Sequence, residues 1–141
     1  MISTRDIRLL EKACELARKS SCKKKHGAII AKGNTILSYG KNNRRTQMRN
    51  YNFGHFECHA ELDAIMRATK LEGANMYVVR VSKTGVIGNS RSCTSCIKLM
   101  RHYGIKKVFY TKNKDEYSVE KVNKMKMLHD SEGSLYLKTL K

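Results

Sequence analysis

Two short motifs constrain this chain more than any other feature, and they read CHAE at residues 58–61 and SCTSC at residues 92–96. One histidine, His59, and two cysteines, Cys93 and Cys96, have side chains that bind zinc, and Glu61 follows the histidine closely. A catalytic zinc site needs three protein ligands, a water in the fourth position and a group that moves the water's protons. The motifs therefore predict a fold that brings two distant segments together around one Zn²⁺ ion.

Length and composition set the class of protein. A chain of 141 residues is long enough to bury a core without disulfide support, and we expect one domain spanning residues 1–141. No run of about 18 apolar residues is present, so we expect no membrane span. The first residues lack the apolar stretch of a secretory signal. Five cysteines, an odd number, do not fit an extracellular disulfide framework. A reducing compartment, the cytoplasm or the nucleus, is the expected location.

The basic excess bears on the partner. The formal net charge is +17, and basic residues are dense at 23–25, 44–45 and 106–107. Such an excess attracts polyanions and favours contact with phosphates. A solvated lysine surface with no nucleic-acid role is the alternative interpretation. We expect a nucleotide or a single-stranded nucleic acid as the partner, and no membrane contact. Formation of a homo-oligomer is left open.

Hydrophobic periodicity and turn residues predict an alternation of helices and strands. Helices are predicted at 4–20, 59–71 and 94–103, and strands at 27–31, 35–40, 76–81, 107–111 and 117–122, with a short return near 86–88. Gly73 and Gly104 are expected to end the second and third helices. Residues 44–56 show no period and are expected to form a loop before the first motif. This order implies a sheet covered by helices, with each motif at the start of a helix.

The final two strands are predicted to be antiparallel. Only residues 112–116 link them, and a parallel pair needs a crossover of a dozen or more residues.

A closed structural zinc site is the competing interpretation of the motifs. His55, Cys58 or His102 would then be the fourth ligand. That arrangement leaves Glu61 without a role, which favours the catalytic interpretation.

The pattern His-x-Glu followed by Cys-x-x-Cys resembles that of the cytidine and deoxycytidylate deaminase superfamily, over about 26–111. The resemblance implies an α/β fold, a three-layer α/β/α sandwich around a five-stranded mixed sheet. It implies a Zn²⁺ cofactor bound by His59, Cys93 and Cys96, with Glu61 as the catalytic proton shuttle. Ser92 stands where the family has proline, which leaves the ligands intact and suggests a looser turn.

The resemblance also implies two substrate-binding positions. Asn42, just after the second strand, would contact the sugar, with Asn43 as an adjacent contender. Ala60 would offer its backbone N–H to the carbonyl of the base.

Substrate choice depends on two features that disagree. An antiparallel last strand resembles that of the free-nucleoside cytidine deaminases. The polynucleotide editors, by the same resemblance, have a parallel last strand. The histidine ligand and the charge resemble the nucleotide and nucleic-acid branch. We expect a zinc-dependent hydrolase that deaminates cytosine to uracil on a phosphate-bearing substrate. The alternatives are a tRNA adenosine-to-inosine deaminase, a free (deoxy)cytidine deaminase and a non-catalytic nucleic-acid-binding module with structural zinc.

Overall fold

Three helices and six strands make up the computed structural model, which describes residues 2–20, 22, 24–42 and 59–126. The helices are α1 (Thr4–Arg18), α2 (Ala60–Arg67) and α3 (Thr94–His102). The strands are β1 (Lys25–Lys32), β2 (Thr35–Lys41), β3 (Asn75–Val81), β4 (Ile87–Gly88), β5 (Lys107–Thr111) and β6 (Tyr117–Lys121). A short 3₁₀ helix, Val122–Lys124, follows β6. The predicted loop at 44–56 lies outside the described residues.

The strands form one mixed sheet in the order β2-β1-β3-β5-β6, with β4 paired to β3 at the side. β1 is antiparallel to both β2 and β3, whereas β3 and β5 are parallel. The connection from β3 to β5 contains α3, as a parallel crossover requires. β6 is antiparallel to β5, which confirms the prediction for the last two strands.

Helices cover both faces of the sheet. On one face, α1 buries Leu9, Leu10, Ala13 and Ala17 against strand residues that include Ile29, Tyr77, Val79 and Phe109. On the other face, α2 and α3 bury Ala64, Ile65, Ile97 and Met100 against Ala28, Ile30, Val78 and Val108. The predicted three-layer α/β/α sandwich is confirmed. In the described part of the chain, every helix falls short of the length and apolar character needed to cross a membrane.

The N-terminal helix is fixed by a buried carboxylate. Ser3 and Asp6 form a capping box at the start of α1, in which Ser3 Oγ accepts from the Asp6 N–H and Asp6 Oδ2 accepts from the Ser3 N–H. The Tyr77 hydroxyl of β3 donates to Asp6 Oδ1 at 2.7 Å. One side chain therefore caps α1 and attaches the helix to the sheet.

The second helix is shorter than predicted. It ends at Arg67 instead of Leu71, and Ala68 already has an extended backbone. Leu71 is buried in the core, and Gly73 lies in a turn with φ of 81°, where its N–H donates to the Gly104 carbonyl. The prediction that Gly73 ends the helix was wrong, because the chain has to leave the helix earlier to turn back into β3. Gly104, with φ of 78°, does follow the end of α3 as predicted.

Glycine at position 40 allows α2 to approach the sheet closely. A Cβ atom at Gly40 would lie 2.4 Å from the Ala64 nitrogen and 2.5 Å from the Ala60 carbonyl oxygen. Both are backbone atoms, which cannot move aside as a flexible side chain would. Beside it, the Ser38 hydroxyl of β2 donates to the Ala64 carbonyl at 2.7 Å. The position of α2 relative to the sheet therefore depends on the absence of a side chain at residue 40.

We expect Gly40→Ala to destabilise the protein by about 3 kcal/mol, the upper part of the usual range for overpacking, since α2 has to shift. Thermal or urea unfolding measures the change. Gly88→Ala is the matched control, because its new Cβ would contact only the Arg80 side chain, at 3.8 Å or beyond. Equal stability of the two variants would show that α2 does not depend on this close approach.

Candidate active site

The helices α2 and α3, which cover the same face of the sheet, begin at the same edge of that sheet. At this edge β1 starts, β2 ends and β3 ends, as the pairs Lys25↔Val81 and Gly27↔Lys41 show. α2 and α3 each run away from this edge and lead to strands that begin at the opposite one. His59 is the N-cap residue of α2, and Cys93 is the N-cap residue of α3. The fold therefore brings the starts of the two sequence motifs together.

The three predicted zinc ligands converge at this point. The ligand atoms of His59, Cys93 and Cys96 all lie within 4.8 Å of one another. His59 Nδ1 lies 3.3 Å from Cys96 Sγ and 3.5 Å from Cys93 Sγ. Both cysteines are buried, and neither His59 nor Cys93 caps its helix with its side chain.

These distances fit a zinc ion. Nitrogen at about 2.1 Å and sulfur at about 2.3 Å from Zn²⁺, at a tetrahedral angle, stand about 3.6 Å apart. The observed separations of 3.3 and 3.5 Å are close to that value. One imidazole nitrogen and two sulfurs are donors that zinc prefers, and three protein ligands leave the fourth position for solvent. The residues present fit Zn²⁺.

The surroundings of Cys93 favour its ionised form. A hydrogen bond with Cys96, opposed by burial and assisted by His59, lowers the pKa of the Cys93 thiol to about 2. Its position at a helix N-terminus acts in the same direction. A thiolate is the form of cysteine that binds a metal.

Glu61 and Ala60 occupy the first turn of α2. Glu61 is only 5% exposed, two residues after His59, and Ala60 is fully buried. The N–H of Ala60 belongs to the first helical residue, where a backbone donor has no partner within the helix. The predicted proton shuttle and the predicted backbone donor are thus buried in the first turn of α2, directly after the candidate ligand His59.

Asn42 lies at the same edge, and its side chain holds other parts of the chain. Its Oδ1 accepts from Ser20 Oγ at 2.7 Å and from the His26 N–H at 2.8 Å, and its Nδ2 donates to the Lys24 carbonyl at 2.6 Å. The carboxamide therefore orders the start of β1. Its contact with a sugar stays a prediction, and Asn43 lies outside the described residues.

A closed site with His102 as the fourth ligand does not fit the structure. His102 is the last residue of α3, and nine helical residues span about 13 Å, so it lies far from Cys93 at the other end. His102 is also exposed, and its ring contacts Tyr103. The other two contenders, His55 and Cys58, lie outside the described residues.

Asp63 is a residue at this edge that the motifs did not single out. It is buried on α2, and its carboxylate accepts from the Lys41 N–H at 3.2 Å and from Arg67 Nε at 3.2 Å. It thereby joins the end of β2 to the helix that carries Glu61. The available sequence signal was a second carboxylate two residues after Glu61. Its burial and its hydrogen-bond partners depend on the tertiary structure.

Ser92 precedes the ligand Cys93 and is almost fully buried. Its hydroxyl has no hydrogen-bond partner among the described residues. A buried hydroxyl without a partner costs about 1–3 kcal/mol. The serine in the family's proline position therefore carries a cost in stability.

We expect Ser92→Ala to stabilise the zinc-loaded protein by about 1 kcal/mol, since it removes the unpaired hydroxyl. Zinc content should not change, because residue 92 supplies no ligand. Chemical unfolding and metal analysis measure the two quantities. Ser90→Ala is a matched control with the opposite expected sign, because the Ser90 hydroxyl donates to the Val78 carbonyl at 2.8 Å. A loss of stability in Ser92→Ala would show that this hydroxyl has a partner.

The fold is similar to those of several solved deaminases. A dCMP deaminase from the cyanophage S-TIM5 in apo form matches with a TM-score of 0.61 and 21% identity, over 99% of this chain and 94% of that one. The same enzyme in complex with dCMP and dUMP matches with a TM-score of 0.62 and 23% identity, over 79% and 84%. A cytidine deaminase from Burkholderia pseudomallei matches with a TM-score of 0.61 and 18% identity, over 83% and 92%.

Sequence comparison shows the family more directly. No curated protein matches the chain by sequence. The family model for the cytidine and deoxycytidylate deaminase zinc-binding region matches residues 3–112, well over half of the chain. Its match includes both motifs and the residues that the structure groups around the candidate metal position. The chain is therefore a member of the cytidine and deoxycytidylate deaminase family of zinc-dependent hydrolases.

Proposed function

We propose that this protein deaminates the cytosine base of a nucleotide, producing the uracil nucleotide and ammonia. The observation that carries the proposal is the convergence of His59 Nδ1 with the sulfurs of Cys93 and Cys96, next to the buried Glu61. The proposal treats residues 1–141 as a single deaminase domain. A reducing compartment, cytoplasm or nucleus, would keep both cysteines available for the metal.

Each residue has a distinct role in this proposal. His59, Cys93 and Cys96 would hold Zn²⁺, which would supply an activated water for attack on C4 of the cytosine. Glu61 would accept one proton from the water and deliver it to the ring nitrogen, where it stays in the product. It would then carry the second proton, from the hydroxyl now on C4, to the amine. The C4–N bond breaks as ammonia leaves, and the ring carbonyl of uracil remains.

The sheet edge at the site is basic, which supports a phosphate-bearing substrate. Lys24 directly precedes β1, and Arg80 pairs with His26 and so shares its face of the sheet. Lys25 and Lys41 add charge at the same edge from the face that α1 covers. The Lys24 carbonyl is held by Asn42, so this segment has a defined position. Cations at this edge attract an anionic substrate towards the catalytic residues.

Removing charge from this edge should affect nucleotides and spare nucleosides. We expect Lys24→Ala/Lys25→Ala to lower kcat/KM for deoxycytidylate about tenfold, the effect of about 1.4 kcal/mol of lost phosphate interaction. Activity on deoxycytidine should change less than twofold. Lys106→Ala/Lys107→Ala is the matched control, because it removes the same charge at the opposite edge, where β5 begins. An equal effect of the two double variants would contradict a local phosphate contact.

A free nucleoside is the second candidate substrate. The antiparallel pairing of β5 with β6 favours it, since by resemblance the free-nucleoside enzymes share that arrangement. The relatives named above include both a dCMP deaminase and a cytidine deaminase.

The deciding experiment compares substrates directly. The zinc-loaded protein is incubated with cytidine, deoxycytidine, deoxycytidylate, single-stranded DNA, RNA and adenosine-containing tRNA, and products are followed by ammonia release, chromatography and sequencing. Fastest turnover of deoxycytidylate or cytidylate supports the proposal. Preference for nucleosides, for a polynucleotide cytosine or for adenosine would replace it with the corresponding alternative. No ammonia from any substrate would favour a non-catalytic zinc module.

A further inference from the structure

His26, the second residue of β1, is placed by strand alternation on the same side of the sheet as the candidate active site. A Cβ at the next residue, Gly27, would meet the backbone of α1 at Ala13, so Gly27 faces the α1 layer. Successive side chains of a strand point to opposite faces, and Ala28 belongs to the core under α2 and α3. His26 therefore faces the layer of α2 and α3, at the edge where both helices begin.

The backbone of His26 is held on both sides. Its N–H donates to Asn42 Oδ1 at 2.8 Å, and its carbonyl accepts from the Asn42 N–H at 3.2 Å. In the sheet it also pairs with Arg80 of β3. The imidazole thus projects from a fixed point.

Electrostatic interactions support this position. Burial lowers the pKa of His26, the charge of Glu61 raises it, and His59 and Arg80 lower it further, with a net decrease. The ring therefore lies within electrostatic range of both Glu61 and His59. The half-buried ring also hydrogen-bonds the Lys24 backbone, which leaves its other nitrogen for a ligand.

We propose that His26 is a substrate-binding residue whose imidazole hydrogen-bonds the nucleoside part of the substrate, between Glu61 and Asn42. The assignment rests on the proposed function, because it takes the substrate to be a nucleoside or nucleotide. Asn42 approaches the sugar by resemblance, and Glu61 serves the base, so a ring between them meets the junction of base and sugar. The contact does not involve the phosphate, which separates its effect from that of Lys24 and Lys25.

Binding without turnover tests the proposal. In a Glu61→Gln background loaded with zinc, dissociation constants for deoxycytidine and deoxycytidylate are measured by calorimetry with and without His26→Val. We expect the constant to rise about 3- to 10-fold, the range for one neutral hydrogen bond, and by the same factor for both ligands. His26→Gln, which retains a donor and an acceptor, should recover much of the affinity. His102→Val, at the far end of α3, should leave both constants unchanged.

Two results would overturn the proposal. One is unchanged affinity for both ligands in the folded, zinc-loaded His26→Val protein. The other is a loss in His26→Gln as large as in His26→Val, which would show a packing role. If His26→Val does not fold, His26→Ala provides the same comparison with His26→Gln. Failure of the proposed function would give a different result. The protein with His26 and Glu61 unchanged would then release no ammonia from any cytosine nucleoside or nucleotide.

Discussion

Glu61→Gln should reduce deamination by at least about 100-fold, the scale of a lost general acid–base group, while the zinc content stays at one per chain. The amide is nearly the same size as the carboxylate, so the buried first turn of α2 keeps its packing. It cannot take a proton from water, and the chemical step should therefore fail. Ammonia release, metal analysis and thermal unfolding measure the three quantities.

A suitable control for this variant is Glu15→Gln, which makes the same change at an exposed position of α1. Its rate should equal that of the unmodified protein. If Glu61→Gln retained activity within tenfold, Glu61 would not be the proton carrier. A large loss of zinc in that variant would instead place Glu61 among the groups that maintain the metal site.

Cys93→Ser should lose both zinc and stability, because it removes a ligand. A metal that binds only the folded state at 100 times its dissociation constant contributes about 2.7 kcal/mol. For a chain of this length that corresponds to a decrease in Tm of about 5–10 °C. Metal analysis and calorimetry of the zinc-loaded protein give both values.

The control is Cys14→Ser, since Cys14 is a half-buried free cysteine on α1, outside the ligand group. It should keep one zinc per chain. If Cys93→Ser also kept one zinc per chain, Cys93 would not be a ligand. The predicted difference from Glu61→Gln is qualitative, because one change removes catalysis and the other removes the metal.

The elements with strong local signals were predictable from the sequence. The hairpin turn at Gly33 and the hydrophobic run of β3 depend on residues close in the chain, and the structure places both where the pattern indicated. The antiparallel direction of β6 was also predictable, because a five-residue link cannot span a parallel crossover. The end of α2 was not predictable. The residues after Arg67 could continue a helix, and the chain leaves the helix there because it has to reach β3.

The candidate site shows the same division. The donor chemistry was predictable without a structure, because His59, Cys93, Cys96 and Glu61 are recognisable from residue type and short spacing alone. The common starting edge of α2 and α3, the hold of Asn42 on the start of β1, and the placement of His26 on the face that α2 and α3 cover follow only from the three-dimensional fold. These facts depend on strand order and register, and a shift of one residue would turn every side chain of a strand to the other face.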